Sequence, residues 1–198
     1  MLNSFLLWIS MVIYLIVYTV IALIKKKNYF FITISCLFYI YIGCVLSVAF
    51  FPLPIQKEAI QFLRETNYIE NVYIPFHDII GMINTRNIHT IIRNIAGNIL
   101  MFMPFGFLIS MVTRKHFSFF MIIFYGTIVS SSIEILQVII GFMIGVRYKI
   151  FSVDDIILNT LGTIVGYICF SLLRYITYNF KFLKIIFDFD VENNNSLG

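Results

Sequence analysis

Long uninterrupted runs of apolar residues dominate the chain, without the helical or strand periodicity of a surface element. Five such runs cover residues 5–24, 29–51, 95–112, 117–140 and 156–173. Each holds between 18 and 24 residues, and about 18 to 20 apolar residues suffice to cross the hydrocarbon core of a bilayer as a helix. The pattern therefore predicts an all-α polytopic integral membrane helix bundle with about five transmembrane helices.

Composition supports this prediction and excludes other classes. Of the 198 residues, 60% are hydrophobic and only 12% are charged, against roughly 25% charged in soluble domains. The mean hydropathy is +0.93, and Glu134 is the one charged residue inside the five runs. A soluble enzyme, a nucleic-acid-binding protein and a disordered protein are excluded, and the net charge of +4 needs no partner other than a lipid bilayer.

Basic residues predict the orientation. The short segment after the first run is mostly lysine, at positions 25–27, whereas the basic residues of segment 52–94 are dispersed. Because short juxtamembrane positive charge marks the cytoplasmic side, we predict a multi-pass cell-membrane protein with its N-terminus outside and its C-terminus cytoplasmic. This divides the chain into two N-terminal spans (1–51), an extracytoplasmic loop (52–94), a three-helix core (95–174) and a cytoplasmic tail (175–198).

The long loop carries two helical patterns. Pro52 and Pro54 end the second run, since proline disfavours helix in the residue before it. Residues 56–66 predict a short amphipathic helix. Residues 79–95 space isoleucines near the helical period, which is typical of a helix on the membrane surface or a re-entrant element.

The fourth run contains two polar residues three positions apart, Glu134 and Gln137, which share a helix face. A carboxylate inside a membrane span costs roughly 2.5–3.5 kcal/mol on insertion scales, so it needs a partner or a water-lined cavity. Glu134 is thus a candidate general acid or base, or a structural partner of Arg93 or Arg147. Gln137 is a candidate hydrogen-bonding group between helices.

The fifth run begins with a helix-capping pattern. Ser152 and Asp155 have the spacing of a capping box, which predicts a helix N-terminus at this point. Asp155, Asn159, Gly162 and Gly166 then fall on one helix face. The outer end of that face is polar, and its deeper glycines predict close approach of another helix.

The predicted topology puts polar residues from three separate stretches of the sequence at the same depth in the membrane. We expect them to ring one end of a three-helix cluster near the outer membrane interface. They are Arg93, Asn94, Asn98, Glu134, Gln137, Arg147, Asp154, Asp155 and Asn159.

Two ligand types are compatible with this ring. Arg147, with Arg93 or Lys149, could hold a phosphate or pyrophosphate head group, because guanidinium matches phosphate bidentately. The alternative is ordinary juxtamembrane charge. Asn98 and Asn159 are candidates for hydrogen bonds between helices or for a role in the site.

Carboxylates of Asp154, Asp155 and Glu134 could instead bind a hard cation, which prefers oxygen ligands. Asp155 is equally explained as a helix cap, and histidines and cysteines show no spacing of a zinc site. We therefore assign no metal and no cofactor from the sequence.

Three motifs in order resemble the signature of VanZ-like membrane proteins. They comprise Asn98, Phe102, Pro104 and Gly106, then Ile133, Glu134 and Gln137, then Arg147, Ser152, Asp154, Asp155, Asn159 and Gly162. The resemblance is close over about residues 93–170. The segment between the arginine and the serine is longer here than in the tightest members.

This family is named for a protein associated with teicoplanin resistance in Gram-positive bacteria. The resemblance implies a cell-envelope membrane protein that contributes to glycopeptide resistance. Our hypothesis is that it binds or modifies a lipid-linked wall component or an anionic lipid at the outer membrane face. The catalytic candidates are Glu134 and Asp154, and the substrate-binding candidates are Arg93, Asn98, Gln137, Arg147, Asp155 and Asn159.

The alternative is a non-catalytic membrane scaffold or accessory subunit, in which the polar ring locks the helices together. A transporter is a third candidate, but five spans show no inverted repeat. The sequence does not decide whether the protein catalyses a reaction.

Overall fold

The computed structural model describes residues 2–66, 72–84, 88–113 and 117–179. These residues form helices and no β-sheet, which confirms the predicted all-α class. The described part of the chain holds seven helices: α1 (Phe5–Ile24), α2 (Tyr29–Phe50), α3 (Lys57–Thr66), α4 (His77–Asn84), α5 (Ile88–Thr113), α6 (Phe119–Ile144) and α7 (Val153–Asn179).

Five of these helices, α1, α2, α5, α6 and α7, are long and apolar enough to cross a membrane. The predicted multi-pass membrane architecture is therefore confirmed. The helices α5, α6 and α7 extend past the apolar runs at one or both ends. In α5 and α7 the added turns contain polar residues, whose long side chains can reach the membrane surface. In α6 the added residues 141–144 are themselves non-polar.

The long loop contains helical segments. The short amphipathic helix is present as α3. Of the segment 79–95, the structure describes the part in α4, which ends at Asn84, and the part in α5, which begins at Ile88. The predicted tail begins later, because α7 continues to Asn179. Residues 180–198 of that tail lie outside the described residues.

Helices α5 and α7 pack with their backbones in close approach around Gly106, Gly162 and Gly166. A methyl group added at Gly162 or Gly166 would overlap the carbonyl of Ile99 or Met103 on α5, and one added at Gly106 would overlap the carbonyl of Thr163 on α7. The glycine face predicted on α7 thus meets α5, and it admits the close backbone approach that membrane helices use in place of hydrophobic collapse.

Backbone hydrogen bonds join the segments at one end of the bundle. Near the start of α1, Leu2 pairs through its backbone with Leu53, which follows α2. Val72 pairs in the same way with residues on both sides of Ser152, at the start of α7. The starts of α1, α5 and α7 and the ends of α2 and α6 therefore share one side of the membrane.

Candidate functional site

The N-terminus of α7 is capped by side chains of two helices. Ser152 Oγ accepts the backbone N–H of Asp155 at 3.4 Å, which is the predicted capping bond. The backbone N–H of Ser152 donates to Glu134 Oε2 of α6 at 3.1 Å. In a capping box the acid three residues later accepts this N–H; here a carboxylate from the neighbouring helix takes its place.

The N-terminus of α4 lies beside the N-terminus of α7. Helix α4 begins after Phe76, which has a positive φ of 66° and offers no side-chain acceptor to the first turn. Asp154 of α7 supplies it: Oδ1 accepts the N–H of Phe76, and Oδ2 accepts those of Asp78 at 3.0 Å and Ile79 at 3.2 Å. Asp154 is 1% exposed and therefore acts as the N-cap of α4 from outside that helix.

Asp78 completes the connection and was missed by sequence reasoning. Its Oδ2 accepts the hydroxyl proton of Ser152 at 3.0 Å, and its Oδ1 lies 3.7 Å from His77 Nδ1. An acid in the first turn of a helix is a weak signal for any particular partner. Nothing in the local pattern indicated that α4 and α7 would begin beside each other.

Helix α5 reaches the same group of residues through its asparagines. Asn98 Nδ2 donates to Asp155 Oδ1 at 2.8 Å and to Asn94 Oδ1 at 3.2 Å. Asn94 in turn lies within 3.4 Å of the Met82 sulfur on α4. Asn98 binds the side chain of Asp155. The Ser152 N–H is accepted by Glu134 and not by Asp155.

We call the connected group the Ser152 cluster. Its members come from four helices and the loop before α7: Asp78, Asn98, Glu134, Ser152, Asp154 and Asp155.

Two predicted site residues lie away from the cluster. Gln137 is buried, and its amide donates to the Ala49 carbonyl of α2 at 2.9 Å, which is a hydrogen bond between helices. Asn159 is buried one turn below Asp155 and donates to Ser130 Oγ of α6 at 2.9 Å. Glu134 and Gln137 thus share a helix face but bind different neighbours.

The predicted arginines lie on the surface around the cluster. Arg93 is exposed on α5, and Arg147 is exposed in the loop between α6 and α7. In the same loop, half-buried Lys149 interacts electrostatically with Glu134 and Asp155. Between these two basic residues, burial raises the pKa of the Tyr148 hydroxyl.

The electrostatic balance of the cluster is set by four carboxylates and two helix N-termini. Helix N-termini stabilise nearby negative charge, and the backbone N–H donors offset much of the cost of burying it. Within the described residues, no three His, Cys, Asp or Glu side chains converge to hold a metal ion. The oxygens of Asp154 in particular face backbone N–H groups, which is unsuited to a cation ligand.

Comparison with protein families identifies the family of this chain. The model described as VanZ/LLP1 matches residues 38–174, which is more than half of the sequence. The chain belongs to the VanZ/LLP1 family. The match begins inside α2 and includes the long loop, so the VanZ/LLP1 region is larger than the stretch of 93–170 expected from motifs. Searches of curated proteins and of solved structures find no match.

Proposed function

We propose that this VanZ/LLP1 protein binds the anionic head group of an envelope amphiphile at the membrane face that carries the Ser152 cluster. The ligand class is a lipid-linked wall component or an anionic lipid. The observation that supports this most directly is the loop between α6 and α7. It holds Arg147 at the surface and Lys149 within electrostatic range of Glu134 and Asp155.

The roles within this proposal follow from burial and bonding. Exposed Arg147 and Arg93 would hold phosphate oxygens, since guanidinium groups bind them in pairs. Asn98 and Asp155, which are half-buried and hydrogen-bonded to each other, would position the head group. Glu134 is the acid that would move a proton if the bound molecule reacts.

The other predicted residues have supporting roles in this proposal. Asp154 accepts three backbone N–H groups and serves as the cap of α4, not as a proton carrier. Gln137 and Asn159 hold α6 against α2 and α7 beneath the site. With the N-terminus outside, the cluster faces the exterior, where a lipid-linked wall intermediate and teicoplanin would both be accessible.

Lipid retention tests the head-group proposal. The parent chain and the variants Arg147→Ala and Lys57→Ala are each purified in detergent that contains phosphatidylglycerol. The number of lipid molecules that each protein retains is then measured by native mass spectrometry. Lys57 is exposed on α3 and controls for the loss of one positive charge. We expect Arg147→Ala to lose bound lipid and Lys57→Ala to keep it. Equal retention by folded Arg147→Ala and the parent would reject the proposal.

A second candidate function, a non-catalytic scaffold, is favoured by the bonding within the cluster. Asp154 and Glu134 each cap a helix other than their own, and Asn98 joins α5 to α7. Such bonds lock helices together without any ligand. In this function the protein would act as an accessory subunit that holds a partner in the membrane.

The substitution Glu134→Gln separates the two functions. Glutamine keeps an oxygen that accepts the Ser152 N–H but cannot ionise. Normal membrane abundance with lost protection against teicoplanin would indicate a working site. Normal abundance with full protection would favour the scaffold. The parent chain must itself confer protection in the test strain for this comparison to apply.

A further inference from the structure

One buried amide oxygen, one helical turn below the Ser152 cluster, has no hydrogen-bond donor among the described residues. Asn159 is 2% exposed, and its nitrogen is bound to Ser130 Oγ. Its oxygen, Oδ1, has no hydrogen-bond partner among the described residues. A buried acceptor without a partner is costly, so this atom points to a ligand that accepts its lone pair.

Asn159 lies about one helical turn below the two acids of the cluster that interact with each other, Asp155 and Glu134. Asn159 follows Asp155 by one turn on α7, and its partner Ser130 precedes Glu134 by one turn on α6. Side chains on a helix lean toward its N-terminus, so the Asn159 amide is directed toward Asp155. The two carboxylates above it are close enough to interact electrostatically.

Each of the two carboxylates also keeps an oxygen outside the bonds that hold it in place. Glu134 Oε2 accepts the Ser152 N–H, and Asp155 Oδ1 accepts the Asn98 amide. Glu134 Oε1 and Asp155 Oδ2 remain, together with Asn159 Oδ1, and all three are acceptors. Lys149 interacts electrostatically with both carboxylates.

We propose that Glu134, Asp155 and Asn159 bind a hard divalent cation, Mg²⁺ or Ca²⁺, with water completing its coordination. Carboxylate and amide oxygens are the ligands that these ions take, and Mg²⁺ in proteins keeps several waters. The half-buried Asp155 and Asn98 open the site toward the membrane face. This cation site does not depend on the proposed head-group binding, because it is complete within the chain.

Manganese serves as the probe. The full chain is purified in dodecyl maltoside without added lipid and titrated with Mn²⁺, and the loss of the free-ion electron paramagnetic resonance signal reports binding. In parallel, Mg²⁺ and Ca²⁺ are tested for a rise in melting temperature. We expect binding by the parent chain, and a dissociation constant raised about tenfold or more in Glu134→Gln, Asp155→Asn and Asn159→Leu.

The matched control is Ser130→Ala. This change breaks the same hydrogen bond that Asn159→Leu breaks, but it leaves Asn159 Oδ1 in place. We expect Ser130→Ala to bind Mn²⁺ as the parent does. Loss of affinity in Ser130→Ala equal to that in Asn159→Leu would show that helix packing, not ligation, controls binding, and would overturn the assignment.

Two other results would overturn it as well. The first is a folded parent chain that neither binds Mn²⁺ nor gains thermal stability from Mg²⁺ or Ca²⁺, and this measurement needs no variant. The second is unchanged Mn²⁺ affinity in Glu134→Gln and Asp155→Asn, which would place the ion elsewhere. Retention of phosphatidylglycerol in either case would leave the head-group proposal standing, so the two proposals fail separately.

Discussion

Ser152 Oγ donates to Asp78 Oδ2 at 3.0 Å, and this bond joins the N-termini of α7 and α4. The connection is reciprocal, because Asp154 of α7 accepts N–H groups from the first turn of α4. Asp154 thus satisfies free N–H groups of α4, and Asp78 of α4 accepts the hydroxyl of the residue that caps α7. The segment before α5 is thereby held against the transmembrane core.

Replacing Asp154 with alanine removes the acceptor for the α4 N-terminus. Loss of an N-cap costs about 0.5–2 kcal/mol, and we expect the upper end because Asp154 is buried. Hydrogen exchange of the α4 amides should accelerate while that of α6 amides stays slow. Glu58→Ala, which removes an exposed acid from α3, is the control. Unchanged α4 exchange in Asp154→Ala would contradict the capping role.

Glu134→Ala and Glu134→Gln should differ in stability. Alanine leaves the buried Ser152 N–H without its acceptor, which costs about 1–3 kcal/mol, whereas glutamine retains an acceptor oxygen. We expect lower membrane abundance and a lower melting temperature in detergent for the alanine variant. Equal melting temperatures for the two variants would show that the hydrogen bond to Ser152 does not hold α6 and α7 together.

Glycine substitutions test the contact between α5 and α7. A Cβ at Gly166 would overlap the Met103 carbonyl, and such overpacking costs about 1–3 kcal/mol. Gly97, also on α5, has open space around its Cβ position. Gly97→Ala should therefore keep or raise the melting temperature, because alanine favours the helix over glycine by up to about 1 kcal/mol. Gly166→Ala should lower the melting temperature. Equal behaviour of both variants would contradict the packing described.

Tyr148 predicts a pH dependence at alkaline pH. Burial raises its pKa above the ordinary value of 10.0, so the unfolded chain ionises first. As far as this group is concerned, the stability of the folded state is constant below about pH 10 and falls as the pH rises further, because ionisation favours the unfolded chain.

Tyr148→Phe removes this dependence together with a buried hydroxyl that has no partner in the described residues. We expect the variant to be more stable near neutral pH by about 1 kcal/mol. Its melting temperature should also fall less than that of the parent between pH 9 and about pH 11. Parallel pH profiles of the two proteins would show that Tyr148 ionises as it does in water.

Local sequence determined much of the architecture. The five spans follow from the length of the apolar runs, the start of α7 from the spacing of Ser152 and Asp155, and the tight helix contact from Gly162 and Gly166. Each of these depends on residues within a few turns of one helix. A bilayer also restricts spanning segments to helices, so that run length alone identifies them.

The tertiary structure decided the partners. Glu134 and Gln137 share a helix face, yet one caps α7 and the other bonds to α2. Asp154, a catalytic candidate from the sequence, has oxygens that cap α4, and Asp78 joins the cluster without any local signal. The physical reason is that a polar group in a membrane protein takes whichever donor or acceptor lies nearest in space. That neighbour is set by which helix ends meet at one membrane face, and the pattern along a single helix does not contain it.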